Sequence, residues 1–269
     1  MSPNDRTRQV TVTISAVLMV IGTLFGIGVF GTRVEESSGG SLSATATLVA
    51  PTVRAFSIWS VIYLGLAAYV VWQWLPANAS SPRARAIGWL ASASMLLNAA
   101  WLLVTQVGWL WVSVLIIVVL ALVLGLLMAR LTAIPATGGW LEAVVVDGSF
   151  GLYLGWVSVA TVANITATLV ASGVNPGELV SQVLAVIVLA VAAVIGVVLA
   201  QRLGGRIAVA LAMAWGLGWI AVARATTSPL SFATAIAAAL AAVVVVAAAI
   251  RVRVRGGRRV QPVGAASGR

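Results

Sequence analysis

The chain has 269 residues, 61% of them hydrophobic and 8% charged, with 16 arginines against 6 acidic residues and a formal net charge of +10. That balance is that of a polytopic membrane protein and excludes a soluble globular domain. Cysteine, histidine and lysine are all absent, which removes thiol chemistry, disulfides, imidazole acid–base catalysis, the usual zinc and haem ligation and any side-chain Schiff base.

The predicted elements are eight apolar spans, so the expected fold class is all-α, a polytopic membrane helix bundle. A polar N-terminus, residues 1–9, precedes the first span, Val10 to Phe30, in which Gly22 and Gly26 form a GxxxG pair that permits close helix contact. Gly31 to Arg54 is the longest internal polar stretch, with Glu35, Glu36 and the run SSGGS. It lacks apolar periodicity and reads as a mobile loop over the mouth of the bundle, contributing little to folding.

The second span, Phe56 to Pro76, is long enough to cross a bilayer yet carries Trp59, Tyr63, Tyr69, Trp72, Gln73 and Trp74. At 3.6 residues per turn Trp59, Tyr63, Leu66, Val70 and Gln73 share a stripe of rings and hydrogen-bonding groups that a lipid-facing helix does not need. Trp72 and Trp74, beside Pro76, read as interfacial belt residues. A basic turn follows, and the third span, Ala86 to Gln106, aligns Ala91, Ser94, Asn98, Trp101 and Thr105 on one face. An asparagine inside a span needs a partner, from another helix or from a ligand.

The fourth span, Trp109 to Ala129, is nearly pure aliphatic below Trp109 and Trp111 and reads as scaffold. The fifth lies within Trp140 to Ala171, with Glu142 and Asp147 near its start and Tyr153, Trp156, Ala160, Ala163 and Asn164 on one stripe; Asn175-Pro176-Gly177 breaks it. Asp147 has two readings, a cap or cytoplasm-reaching group set against Arg130, or a proton-relay acid of a secondary transporter. Leu179 to Ala200, Ile207 to Ala223 and Ser231 to Ile250 supply three further spans. The basic, glycine-containing tail from Arg251 to Arg269 reads as disordered and suited to anionic lipid.

Eight spans put both termini on one side. With the N-terminus inside, thirteen of the sixteen arginines face the cytoplasm and only Arg33, Arg54 and Arg224 face out, so the positive-inside rule favours cytoplasmic termini. At ~1.5 Å per residue through a ~30 Å hydrocarbon core, Trp59 and Tyr63, Asn98 and Trp101, Trp109 and Trp111, and Trp156 and Asn164 then gather in the outer half of the bilayer beneath the 31–54 loop. That is the pattern of an amphipathic ligand cavity with a lid. The arginine-only, alanine-rich usage is like that of a GC-rich bacterial chain, which makes the bacterial inner membrane the expected location.

The runs SIWSVIY and AAYVVWQ, LNAAW at Leu97 to Trp101, QVGW at Gln106 to Trp109, and LYLGWVSVATVAN at Leu152 to Asn164 resemble the TspO/MBR family of tryptophan-rich sensory proteins, over roughly residues 10–171. The resemblance implies a five-helix bundle, a homodimer and a pocket for porphyrins and other bulky apolar ligands. It implies a pocket lined by Trp59, Tyr63, Asn98, Trp101, Trp109, Tyr153, Trp156, Ala160 and Asn164. The chain departs from the family in having Leu152 where a proline is usual, no tryptophan in the first loop and three helices, residues 172–250, beyond the pattern. The expectation is therefore a non-enzymatic binding protein, a sensor of or carrier for a tetrapyrrole or sterol-like lipid, with no covalent cofactor. Its expected partners are the bilayer and a hydrophobic small molecule, not nucleic acid.

Overall fold

The structure, a computed structural model, describes residues 2–259. Eight helices are long and apolar enough to cross a membrane, and no strand occurs among the described residues. They are α1 (Pro3–Gly26), α2 (Ile58–Trp74), α3 (Pro82–Gln106), α4 (Leu110–Ala133), α5 (Gly139–Ala171), α6 (Glu178–Arg202), α7 (Ile207–Thr226) and α8 (Phe232–Arg259). Successive helices run in opposite directions, so the 27–57 connection lies at one end of the bundle, the loop end, and the start of α1 at the other.

Helix contacts are set by small residues. A Cβ on Gly22 would lie 3.0 Å from the Cα of Ala99, which is how closely α1 lies along α3, and Ser15 Oγ meets Ser92 Oγ at 2.6 Å along the same seam. Gly65 of α2 faces Ser149 of α5, and Gly155 of α5 lies against the Val209 carbonyl of α7. The α5–α7 seam therefore joins the first five helices to the last three, which pack on one another through contacts such as Gly196 with Val245. The outer surface is aliphatic, with Leu64, Val71, Leu122, Val194 and Leu240 all more than half exposed, as lipid solvation requires.

Several boundaries differ from the sequence reading. Helix α1 begins at Pro3 because Ser2 and Asp5 form a capping box, Asp5 N donating to Ser2 Oγ and Ser2 N to Asp5 Oδ2 at 2.9 Å. The stretch read as a polar N-terminus is thus helical, with Asp5, Arg8 and Gln9 buried. The Arg8 guanidinium donates to the Ala79 carbonyl at 2.6 Å and to Asp5 at 3.1 Å, and Arg85 caps the same carboxylate at 2.8 Å. At the other terminus α8 continues to Arg259, so residues 251–259 are helical and not irregular. The remainder of the basic tail, 260–269, lies outside the described residues.

The 31–54 loop also differs. It contains a 3₁₀ turn at Ser38–Gly40 and leads into another at Val53–Ser57, and Val34, Ser37, Thr47, Val49 and Ala50 are buried. Ser38 Oγ donates to the Thr105 carbonyl at 2.8 Å, and Thr32 exchanges two hydrogen bonds with the Gln106 amide. The loop is packed into the mouth of the bundle by side chains spaced too irregularly to register as periodicity.

Candidate functional site

Beneath that loop lies a cavity of about 60 Å³ whose wall is drawn from five elements: Val34, Leu42 and Thr47 of the loop, Trp59 of α2, Asn98 and Trp101 of α3, Ile117 and Leu120 of α4, and Trp156, Ala160 and Asn164 of α5. Helical spacing makes each contribution. Asn98 and Trp101 are three residues apart, and Trp156, Ala160 and Asn164 four apart, so each helix turns one short stripe inward.

The aromatic side chains form one connected cluster. Trp59 stacks on Tyr63 with centroids 5.1 Å apart and rings 20° from parallel, and its edge meets Tyr153 at 5.8 Å and Trp156 at 6.2 Å. Phe56 sits edge-on to Trp156 at 5.7 Å. Offset and edge-to-face contacts of this kind each contribute about 0.5–1.5 kcal/mol beyond area burial, so the cluster holds α2 against α5, and three of its members, Phe56, Trp59 and Trp156, line the cavity.

Hydrogen bonds fix the polar groups. Asn98 Nδ2 donates to Tyr63 Oη at 3.0 Å, Tyr153 Oη donates to the Ser94 carbonyl at 3.1 Å, and both amide atoms of Asn164 meet Ser113 Oγ. Four polar atoms of the wall are buried without a partner among the described residues: Trp101 Nε1, Trp156 Nε1, Asn98 Oδ1 and Thr47 Oγ1. No charged side chain lines the cavity among the described residues. Nor does any group of three or more acidic residues among them lie close enough to hold a metal ion.

Six of the nine sequence-predicted residues line this cavity: Trp59, Asn98, Trp101, Trp156, Ala160 and Asn164. Tyr63 does not. It borders an adjoining crevice of about 430 Å³ between α1 and α2, which shares Val34, Phe56 and Trp59 with the cavity as a partition. Tyr153 is fully buried behind Trp59. Trp109 lies outside: it precedes α4 and is 63% exposed, and Trp111 is exposed beside it. Both stand at the loop end of α4, but position along a helix does not specify the side from which a residue projects.

Sequence reasoning missed Ile117 and Leu120, since an aliphatic wall residue looks like a lipid-facing one, and it missed the loop residues Val34, Leu42 and Thr47, which no spacing marks. It also misplaced the partner of Asp147. Residues Ala143–Gly148 of α5 form a π-helical segment, and i→i+5 bonding brings residues five apart towards one face. Glu142 and Asp147 both reach Arg83, at 2.9 Å and 2.6 Å, and Asp147 also pairs with Arg206 of the α6–α7 turn. Arg130 donates instead to the Ala86 carbonyl.

The family model described as TSPO-like protein matches residues 9–250. The match therefore runs through the three C-terminal helices, past residue 171 where the sequence resemblance stops. No curated protein and no solved structure matches the chain.

Proposed function

The chain belongs to the TSPO-like family, and on that premise we propose that it is a membrane receptor or carrier for a bulky hydrophobic ring compound, of the tetrapyrrole or sterol-like lipid type, held in the loop-end cavity. The observation that carries the reading is the coincidence of an aromatic wall with four buried polar atoms that lack partners. Native interiors keep few such atoms, and a ligand edge would satisfy them.

At about 60 Å³ the cavity holds a few water molecules, whereas drug-sized ligands occupy roughly 300–1,000 Å³. Binding therefore requires movement of the Val34, Phe56 and Trp59 partition, which opens the cavity into the 430 Å³ crevice. The loop, which supplies Val34, is the lid in this scheme.

Among the described residues no carboxylate lines the cavity, and the chain has no His, Cys or Lys, which supports binding over catalysis. A transporter coupled through Asp147 has less support. Its carboxylate is already shared by two guanidiniums, at the end of the bundle remote from the cavity, so the ion cluster reads as a structural clamp on the start of α5. The arginine distribution supports an inner-membrane orientation with both termini cytoplasmic.

The test is quenching of tryptophan fluorescence by an added porphyrin in detergent. Trp156→Ala removes stacking of about 0.5–1.5 kcal/mol, and Asn98→Ala a buried hydrogen-bonding group of about 1–3 kcal/mol. Each variant should weaken binding roughly tenfold, since that factor is 1.4 kcal/mol. Trp109→Ala, outside the cavity, should not. Equal affinities for all three would remove the cavity as the site.

A further inference from the structure

Helix α8 is longer than a bilayer requires. Phe232 to Ile250 carries no charge and, at ~1.5 Å per residue, covers about 28 Å, close to the ~30 Å of a hydrocarbon core. The helix nevertheless continues to Arg259. Arg251, Arg253 and Arg255, all exposed, therefore stand where hydrocarbon gives way to headgroups.

The α6–α7 turn brings further charge to the same level. Gly204 and Gly205 form it with φ of +69° and +70°, and a Cβ on Gly205 would lie 2.5 Å from the Ala249 carbonyl oxygen and 2.7 Å from Arg253 N. The missing side chain is what lets the turn sit against α8. Arg202, the exposed last residue of α6, and Arg206, the residue before α7, flank that contact in the chain.

The chain has no acid left to neutralise this corner. Of its six acidic side chains, Asp147 is shared by Arg83 and Arg206, Glu142 is held by Arg83, and Asp5 by Arg8 and Arg85. Glu35, Glu36 and Glu178 belong to the loop end, at the opposite side of the bundle. Among the described residues Arg202, Arg251, Arg253 and Arg255 make no ion pair. Arg251 and Arg255, one helical turn apart, repel each other unless an anion lies near them.

We propose that the α6–α7 turn and the adjoining extension of α8 form a binding site for the phosphate headgroup of an anionic phospholipid. Guanidinium groups pair with phosphate through two parallel N–H donors, and headgroup depth is where phosphates are concentrated. The acyl chains find an aliphatic surface on the same helices, where Val194, Val198 and Ile250 are exposed. A lipid seated there ties the turn to α8. The site lies at the other end of the bundle from the aromatic cavity, so it stands or falls independently of the ligand held there.

Native mass spectrometry of the full chain in detergent, titrated with phosphatidylglycerol and phosphatidylcholine of identical acyl chains, tests the proposal. One arginine near an anionic surface is worth about fivefold in affinity, so phosphatidylglycerol should be preferred by at least about tenfold, and less so as salt rises. Arg202→Gln combined with Arg253→Gln should remove roughly tenfold of that preference. Arg33→Gln combined with Arg54→Gln, the same charge change at the loop end, should leave it in place. All four side chains are exposed, so neither pair should move the unfolding midpoint by more than about 2 °C. Millimolar inorganic phosphate should not displace the lipid. Equal affinity for the two lipids, an equal loss in both double variants, or displacement by inorganic phosphate overturns the inference.

Discussion

Arg83→Met is the substitution from which the architecture predicts the largest loss at a site remote from the cavity. The Arg83 side chain is 4% exposed and holds Glu142 at 2.9 Å and Asp147 at 2.6 Å, joining α3 to the irregular first turns of α5. Its removal affects the two carboxylates unequally. Asp147 keeps Arg206, while Glu142 keeps the amide N–H groups of Thr137 and Gly138 on one oxygen and loses its partner on the other. Breaking a buried pair by removing one member costs about 3–5 kcal/mol, and the retained contacts put this case near 3 kcal/mol. At roughly 2–4 °C per kcal/mol for a chain approaching this size, the midpoint of thermal unfolding in detergent should fall by about 6–12 °C. Arg206→Gln, at a more exposed partner, should lower it by less than half as much. Adding Glu142→Gln to Arg83→Met should recover part of the loss, because the stranded carboxylate is then gone. A midpoint within about 2 °C of the parent for Arg83→Met would refute the assignment of this cluster as the clamp on α5.

Three further outcomes follow from the packing. The Arg224 guanidinium is fully buried and donates to the Ala44 carbonyl of the loop and the Pro229 carbonyl, each at 2.8 Å. Arg224→Gln should therefore raise hydrogen exchange across residues 38–48 and speed both ligand association and release; unchanged exchange would show that the loop is held by other contacts. Gly155→Ala drives a methyl group into the Val209 carbonyl of α7 and should cost about 1–3 kcal/mol, an overpacking penalty, whereas Gly125→Ala, with nothing within 4 Å, should be close to neutral in the same unfolding assay. A reporter enzyme fused after Arg269 should be active when it requires the cytoplasm and inactive when it requires the periplasm, as the arginine count demands; periplasmic activity would invert the topology.

The eight spans were legible in the sequence because each is a long apolar run, and hydropathy needs no partner to be read. Trp59, Asn98 and Trp156 were legible for a related reason, since rings and amides inside a span stand out against aliphatic neighbours. Trp109 shows where that reasoning stops: it stands at the loop end beside the cavity-lining stripes in sequence, but the start of α4 turns it to the exterior. Ile117 and Leu120 were hidden because aliphatic side chains serve a cavity wall and a lipid face equally well. The loop anchors Val34 and Val49, and the Arg83–Asp147–Arg206 cluster, depend on contacts between residues far apart in the chain. No local pattern encodes such pairings, which is also why Asp147 was matched to Arg130, its neighbour across a short turn, instead of to Arg83.

Photo-crosslinking with a diazirine-bearing neutral ring compound, followed by peptide mass spectrometry, tests the loop-end cavity most directly. The account predicts adducts on the loop around Val34 to Pro51 and on the α2 and α5 stripes that carry Trp59 and Trp156, reduced by excess unlabelled ligand. Adducts confined to the groove between the α5–α6 connection and Leu230, or spread over the lipid-facing surface without competition, would contradict it.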